Sequence, residues 1–201
     1  ADGTSDDADG NGIPDECEIV SGFMVITGVV DGPLSGGTPK AIELFVISDI
    51  ADLSLYGLGS ANNGGGTDGE EFTFDAVSAS AGQFIYIASE SDYFLAFFGF
   101  LPDFVHSAAN INGDDAIELF QSSAVVDVFG DINTDGTGTK WEHLDGWAYR
   151  NDGSIPNGGM FSVGDFFYSG PNALDGCSTN DLCGSVMPIG TFGAGGGGND
   201  T

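Results

Sequence analysis

The sequence predicts an all-β fold: an antiparallel sandwich or barrel with one short helix and long Asp/Gly-rich loops. Three observations predict it. Short runs of β-branched and aromatic residues recur along the chain, separated by clusters of Gly, Pro, Asn and Asp. One segment alone combines a helix's start and stop signals with apolar spacing. Glycine supplies 34 of the 201 residues without a collagen period, which favours turns over helix.

Taken in order, residues 1–18 form a polar, Asp-rich leader whose one large apolar residue is Ile13. Residues 23–30 read as a first strand, which Asp31-Gly32-Pro33 and Ser35-Gly36-Gly37 are expected to break. Residues 41–47 form a second, with Ile42, Leu44 and Val46 on one face and Glu43 and Phe45 on the other. Residues 53–60 give a third, and Phe72 and Phe74 alternate with polar residues in a fourth. Residues 83–88 are apolar on both faces and should lie deep. The helix candidate runs over 91–98, with Ser91 or Asp92 as cap and Gly99 and Pro102 as stops. Its aromatic stripe reads as the lid of a core. Residues 116–121 and 124–130 form a hairpin across Ser122-Ser123. Residues 147–149, 160–163 and 166–168 complete the strands, and 193–201 form a Gly-rich tail. The domain limits are therefore 1–18, 19–192 and 193–201. The run Ala-Ile-Glu-Leu-Phe occurs at both 41–45 and 116–120.

Charge excludes several partners. Against 31 Asp and Glu stand only Lys40, Lys140 and Arg150, a net charge of -28. A nucleic-acid surface needs basic side chains to displace counterions, and anionic membranes repel such a chain. The longest apolar run, 94–101, falls far short of a membrane span, so no membrane insertion is expected. The acid is mostly Asp, 23 against 8 Glu, and lies beside Gly and Asn. That composition suits loops that wrap oxygens around a hard cation, although an acidic salt-adapted surface uses the same residues.

Two segments fit the twelve-position calcium-loop pattern. In the leader, Asp7, Asp9 and Asn11 offer side-chain oxygens, Ile13 its carbonyl, Asp15 a direct or water-mediated contact and Glu18 a closing carboxylate. Pro14 discourages a regular flanking helix, so this is a wrapped loop rather than a helix pair. Farther on, Asp131, Asn133, Asp135, the Thr137 carbonyl and Glu142 repeat the spacing between two predicted strands. The expected cofactor is Ca²⁺. The acidic run 110–115 lacks the distal Glu and reads as an ordinary turn.

Of three cysteines, Cys177 and Cys183 enclose a five-residue segment and suit a local disulfide in an oxidising compartment, contributing roughly 2 kcal/mol. Cys17 is left over, free or bonded outside the chain. No catalytic set is visible. The two histidines, His106 and His143, lack a zinc-ligand pattern, no Gly-x-Ser-x-Gly or P-loop occurs, and a carboxylate pair for glycoside hydrolysis is open among 31 acids by abundance alone, without a signal. His143 reads as a rim residue of the second loop. The expectation is a non-enzyme.

Several runs carry a resemblance. Lys40–Phe45 followed by Asp52–Leu58, then 72–74 and 82–88, then 112–120 with 125–127, resemble in order the strands of the lamin tail domain family over roughly residues 23–130. Asn172-Ala173, the Cys177/Cys183 segment and 188–192 look like the tail of its secreted bacterial members. The leader resembles thrombospondin type 3 and dockerin loops through Asn-Gly-Ile-Pro-Asp at 11–15. The resemblance implies an immunoglobulin-like antiparallel β-sandwich, without catalysis of its own, secreted or attached to a cell surface. The basic surface of nuclear lamin tails is missing, so DNA binding is not implied.

The leading expectation is an extracellular, calcium-stabilised structural or adhesive module, the self-assembling subunit of a surface layer or fibre. Assembly into a homo-oligomer or fibre would use edge strands, Cys17 or the Gly-rich tail. The alternatives are an accessory domain of a secreted nuclease or phosphatase, and a carbohydrate-binding module using Trp141, Trp147 and Tyr149.

Overall fold

The computed structural model describes residues 24–193. Alternating apolar runs form ten strands there, in two sheets, with one short α-helix. The expected all-β sandwich is the fold observed. The leader, with Cys17, and the Gly-rich tail beyond residue 193 lie outside the described residues.

The larger sheet has the order β10-β9-β1-β2-β5-β6. It is built from β1 (Met24–Leu34), β2 (Thr38–Val46), β5 (Phe84–Ala88), β6 (Phe104–Val105), β9 (Gly146–Arg150) and β10 (Phe166–Tyr168). The smaller has the order β4-β3-β7-β8, from β3 (Tyr56–Ala61), β4 (Phe72–Thr73), β7 (Ala116–Gln121) and β8 (Ala124–Phe129). Pairing is antiparallel except between β5 and β6. The helix, α1 (Asp92–Phe98), makes that exception possible by carrying the chain from β5 back alongside it.

Period-two alternation assigns the faces. Ile42 and Leu44 of β2, and Ile117 and Leu119 of β7, meet in one core between the sheets with Met24, Leu58, Ile85 and Phe129. The repeated pentapeptide therefore places one copy in each sheet, facing the same core. The opposite face of the larger sheet carries Val25, Val30, Phe45, Trp147 and Tyr149. Phe94 and Phe97 of α1, and Leu174, Met187 and Phe192 of the C-terminal segment, cover it. The molecule thus has three layers, and the aromatic stripe of α1 is a core lid, as its spacing predicts.

Three local readings need correction. Asp31-Gly32-Pro33 does not end the first strand; a register shift between Asp31 and Leu34 absorbs it, and β1 runs on to the turn at Gly36 and Gly37. Neither Ser91 nor Asp92 caps α1 by a side-chain bond; the Glu90 carboxylate accepts from Tyr93 N instead (3.0 Å). Gly99, at φ 83°, closes the helix as expected. Residues 160–163 are not a strand, and Met160 projects into solvent. Nearby, the side chain of Asn157 occupies the free edge of β8, donating to Val128 O and accepting from Val128 N, so no strand can pair there.

The β7–β8 link is a two-residue turn in which Ser122 and Ser123 both take positive φ, 49° and 68°. Serine is strained in that conformation, whereas Asn-Gly adopts it readily. Replacing Ser122-Ser123 by Asn-Gly should raise stability by roughly 0.5–1 kcal/mol in urea titration, with an unchanged m-value.

Candidate metal centre

The loop after β8 is organised by its own acids. Asp131 accepts from Asn133 N (3.0 Å) and from the Thr134 hydroxyl (2.8 Å). Asp135 accepts from Thr137 N (2.9 Å), and that N–H holds its carboxyl below the ordinary carboxylate range. Glu142 accepts from Gly138 N (2.8 Å). Trp141 anchors the loop by burying its indole edge-on to Phe129 and Phe161. At Gly136, a Cβ would stand 2.6 Å from that indole, so only glycine lets the ring approach.

Two other turns gather at the same end of the smaller sheet. Gly66 N donates to Ile132 O (2.8 Å), bringing the glycine loop after β3 against it. The turn at 110–115 contributes more than its sequence suggests. Asp114 accepts from Gly136 N through its carbonyl (3.0 Å) and from the Thr137 hydroxyl through Oδ2 (2.9 Å). Its Oδ1 is buried and has no hydrogen-bond partner among the described residues. No spacing rule could have found Asp114, because its contact with the loop is tertiary.

The acids do not converge. Among the described residues no three His, Cys, Asp or Glu side chains gather as a metal-holding group. Asp131, Asp135 and Glu142 are each engaged with a local donor instead, while Asn133 and Thr137 are exposed. As folded, the loop 131–142 is a set of linked Asx turns. Asp7, Asp9, Asn11, Ile13, Asp15 and Glu18 lie outside the described residues. An open cavity of about 460 Å³ flanks the loop, bounded by Asp131, Asn133, Trp141, Phe161 and Val163.

Beneath these loops lies a buried polar knot. Lys40 is 6% exposed, and its ammonium donates to Asp31 Oδ1 (2.8 Å), Ile111 O (2.7 Å) and Asn112 Oδ1 (2.9 Å). Asp31 Oδ2 accepts from Gly113 N (3.1 Å). His143 is no rim residue. It is fully buried beside Phe129, and burial pushes its imidazole down to about 4, against the opposing pull of the Trp141 carbonyl, Asp31 and Asp114. A second knot joins the sheets: Arg150 Nη2 donates to both oxygens of Asp127 (2.9 and 2.7 Å), neither residue being more than 2% exposed. Two of the three basic side chains are thus inside, and Lys140 is the one Lys or Arg in the whole chain left on the surface.

A third buried acid, Glu43, accepts from Thr27 Oγ1 (2.7 Å), Tyr149 OH (2.7 Å) and Gly190 N (2.6 Å). Desolvation lifts its carboxyl to about 7 although these bonds pull the other way. Such a shift can mark a catalytic acid, but residues 187–193 seal this one from solvent. Trp141, Trp147 and Tyr149 are buried as well, each 5% exposed or less, so none presents a ring face to a sugar. Cys177 and Cys183 are joined in a disulfide, with Cα atoms 5.3 Å apart.

These features define the class: an all-β sandwich whose exposed charges, among the described residues, are almost all acidic. No family model, no curated protein and no solved structure matches the chain.

Proposed function

We propose that this chain is a non-catalytic extracellular module, braced by calcium and assembling with copies of itself into a layer or fibre. One observation carries the reading: with Lys40 and Arg150 buried against carboxylates, a single exposed Lys faces a surface of Asp and Glu. Such subunits repel one another, and packing them requires cations to screen or bridge the carboxylates. Millimolar Ca²⁺ supplies those cations outside a cell, where modules bind it at ~10⁻⁴ to 10⁻³ M. The leader pattern at 7–18 and the acid-rich loops around 131–142 are the proposed contacts. The oxidised Cys177–Cys183 pair agrees with that compartment. The resemblance to secreted lamin tail domains points the same way, toward an immunoglobulin-like structural domain.

The test uses the whole chain. Removing calcium with excess chelator should lower Tm by several degrees, because an ion held only by the folded state stabilises it by mass action. Sizing and negative-stain microscopy should show assemblies that form with Ca²⁺ and disperse without it. An unchanged melt together with dispersed monomers in millimolar Ca²⁺ would refute the proposal.

A further inference from the structure

The knot at Lys40 has more than structural possibilities. We propose that the side chains of Lys40 and Asn112 join in a covalent amide, tying the β1–β2 hairpin to the turn before β7. The inference goes beyond the functional reading above and does not depend on calcium.

The geometry supplies a nucleophile, an electrophile and a base. Lys40 Nζ lies 2.9 Å from the carboxamide oxygen of Asn112, within reach of a near-attack arrangement on Cγ. Asp31 Oδ1, 2.8 Å from the same nitrogen, is the base. Asp31 is itself fixed: it stands opposite Lys40 in the strand register, and its other oxygen holds Gly113 N. The electrophile is fixed too. Asn112 N donates to Asp115 Oδ2 (2.7 Å), and Gly113 O accepts from His143 N (2.7 Å). Held groups of this kind react with effective concentrations of ~10⁵ M or more.

The atoms balance without any co-reactant. Asp31 takes one proton from the ammonium, and the free amine attacks Asn112 Cγ. The C–Nδ2 bond breaks as the new C–Nζ bond forms. The proton held by Asp31 and one more from Nζ pass to the departing nitrogen, which leaves as ammonium, so that Asp31 ends as the carboxylate it began as and the neutral mass of the chain falls by one ammonia. Asn112 is at the surface, so the ammonium escapes directly. The usual competitor in an Asn-Gly sequence is attack by the following backbone nitrogen. Here that N–H is engaged by Asp31 Oδ2 at 3.1 Å, which holds it away from Cγ.

The experiment is an intact mass and a digest of the purified chain. The mass should fall below the disulfide-corrected sequence mass by one ammonia. Trypsin acting on the denatured, reduced chain should cut after Lys140 and Arg150 but not after Lys40, leaving 1–140 whole. Lys40→Arg keeps the charge but cannot form the bond, and should restore the full mass. Full mass in the native chain, with ready cleavage after Lys40, would overturn the proposal. So would an ammonia loss confined to Asn112-Gly113 in a peptide whose Lys40 is still cleavable.

Discussion

Asp127→Ala is expected to cost about 3–5 kcal/mol, a large share of the roughly 5–15 kcal/mol available to a domain, and to lower Tm by roughly 10 °C. The reason lies in β1. Ile26 sits beside a register shift in the β1–β2 ladder, beyond the last residue paired with β9. Side chains take over its backbone groups: Ile26 N donates to Asp127 Oδ2 (2.8 Å), and Arg150 Nε donates to Ile26 O (2.6 Å). Asp127 belongs to the smaller sheet and Arg150 to the larger, so the pair ties the two layers. Asn157 N also donates to Asp127 (2.9 Å), and the Arg150 guanidinium packs over Phe166 at 4.5 Å.

Removing Asp127 leaves a guanidinium in a dry interior and an orphaned Ile26 N–H. The double variant Asp127→Leu, Arg150→Met removes both charges, leaving unpartnered backbone groups at Ile26, Ile155 and Asn157 but no buried charge, and should be less damaging than the single change. Urea denaturation of wild type and both variants checks this. A single variant within about 1 kcal/mol of wild type would show that the pair does not hold the sheets.

Little of this pair was legible in the chain. Arg150 and Asp127 are 23 residues apart, and nothing in their spacing marks them as partners. What could be read locally was read well. Alternation puts Ile42, Leu44 and Val46 on one face of their strand, because period two fixes which face a strand residue takes, and that face lies in the core; that Ile117 and Leu119 of the repeat join the same core is a finding of the structure. The same alternation sends Glu43 and Glu118 to the far faces, yet both are buried, Glu43 under the C-terminal segment. A strand's pattern says which side an acid faces, but not what later covers it. His143 failed for a related reason: it stands between acids, Glu142 and Asp145, in an Asp-rich loop, while the ring packed against it in space is that of Phe129, 14 residues away. Residues 160–163 have strand composition but no available edge to pair with, since Asn157 and Gly158 already occupy β8. The acidic loop was legible as a loop and as an Asx-rich one. Its partner Asp114 was not, because tertiary packing alone brings the two turns together.

Burial of two groups with opposite titration sets the second large effect. Glu43 titrates near 7 in the folded chain against an ordinary 4.5. Folding therefore favours its protonated form. That contribution is fully present below 4.5 and disappears as the pH rises through 7, roughly 3 kcal/mol in all. His143 behaves in the opposite sense. Its folded value near 4 lies below the ordinary 6.5, so its contribution is present above 6.5 and is lost as the pH falls through 4, again roughly 3 kcal/mol. Between these limits the two slopes largely cancel. Asp115, Asp145 and Glu90, all raised by desolvation, tilt the balance toward greater stability in acid. Partial neutralisation of the surface adds to that tilt. Wild type should therefore show a shallow rise in stability from pH 7 down to 5. Each single variant should expose the slope that its partner hid. With His143→Gln, stability should climb steeply on acidification, since Glu43 acts unopposed. With Glu43→Gln, it should fall toward pH 4 as His143 is forced to take up a proton beside Phe129. The groups facing Glu43 are Thr27, Tyr149 and Tyr86, and none of them titrates in this range, so the comparison isolates its carboxyl. Parallel profiles for wild type and both variants would mean that neither group is desolvated as the fold requires.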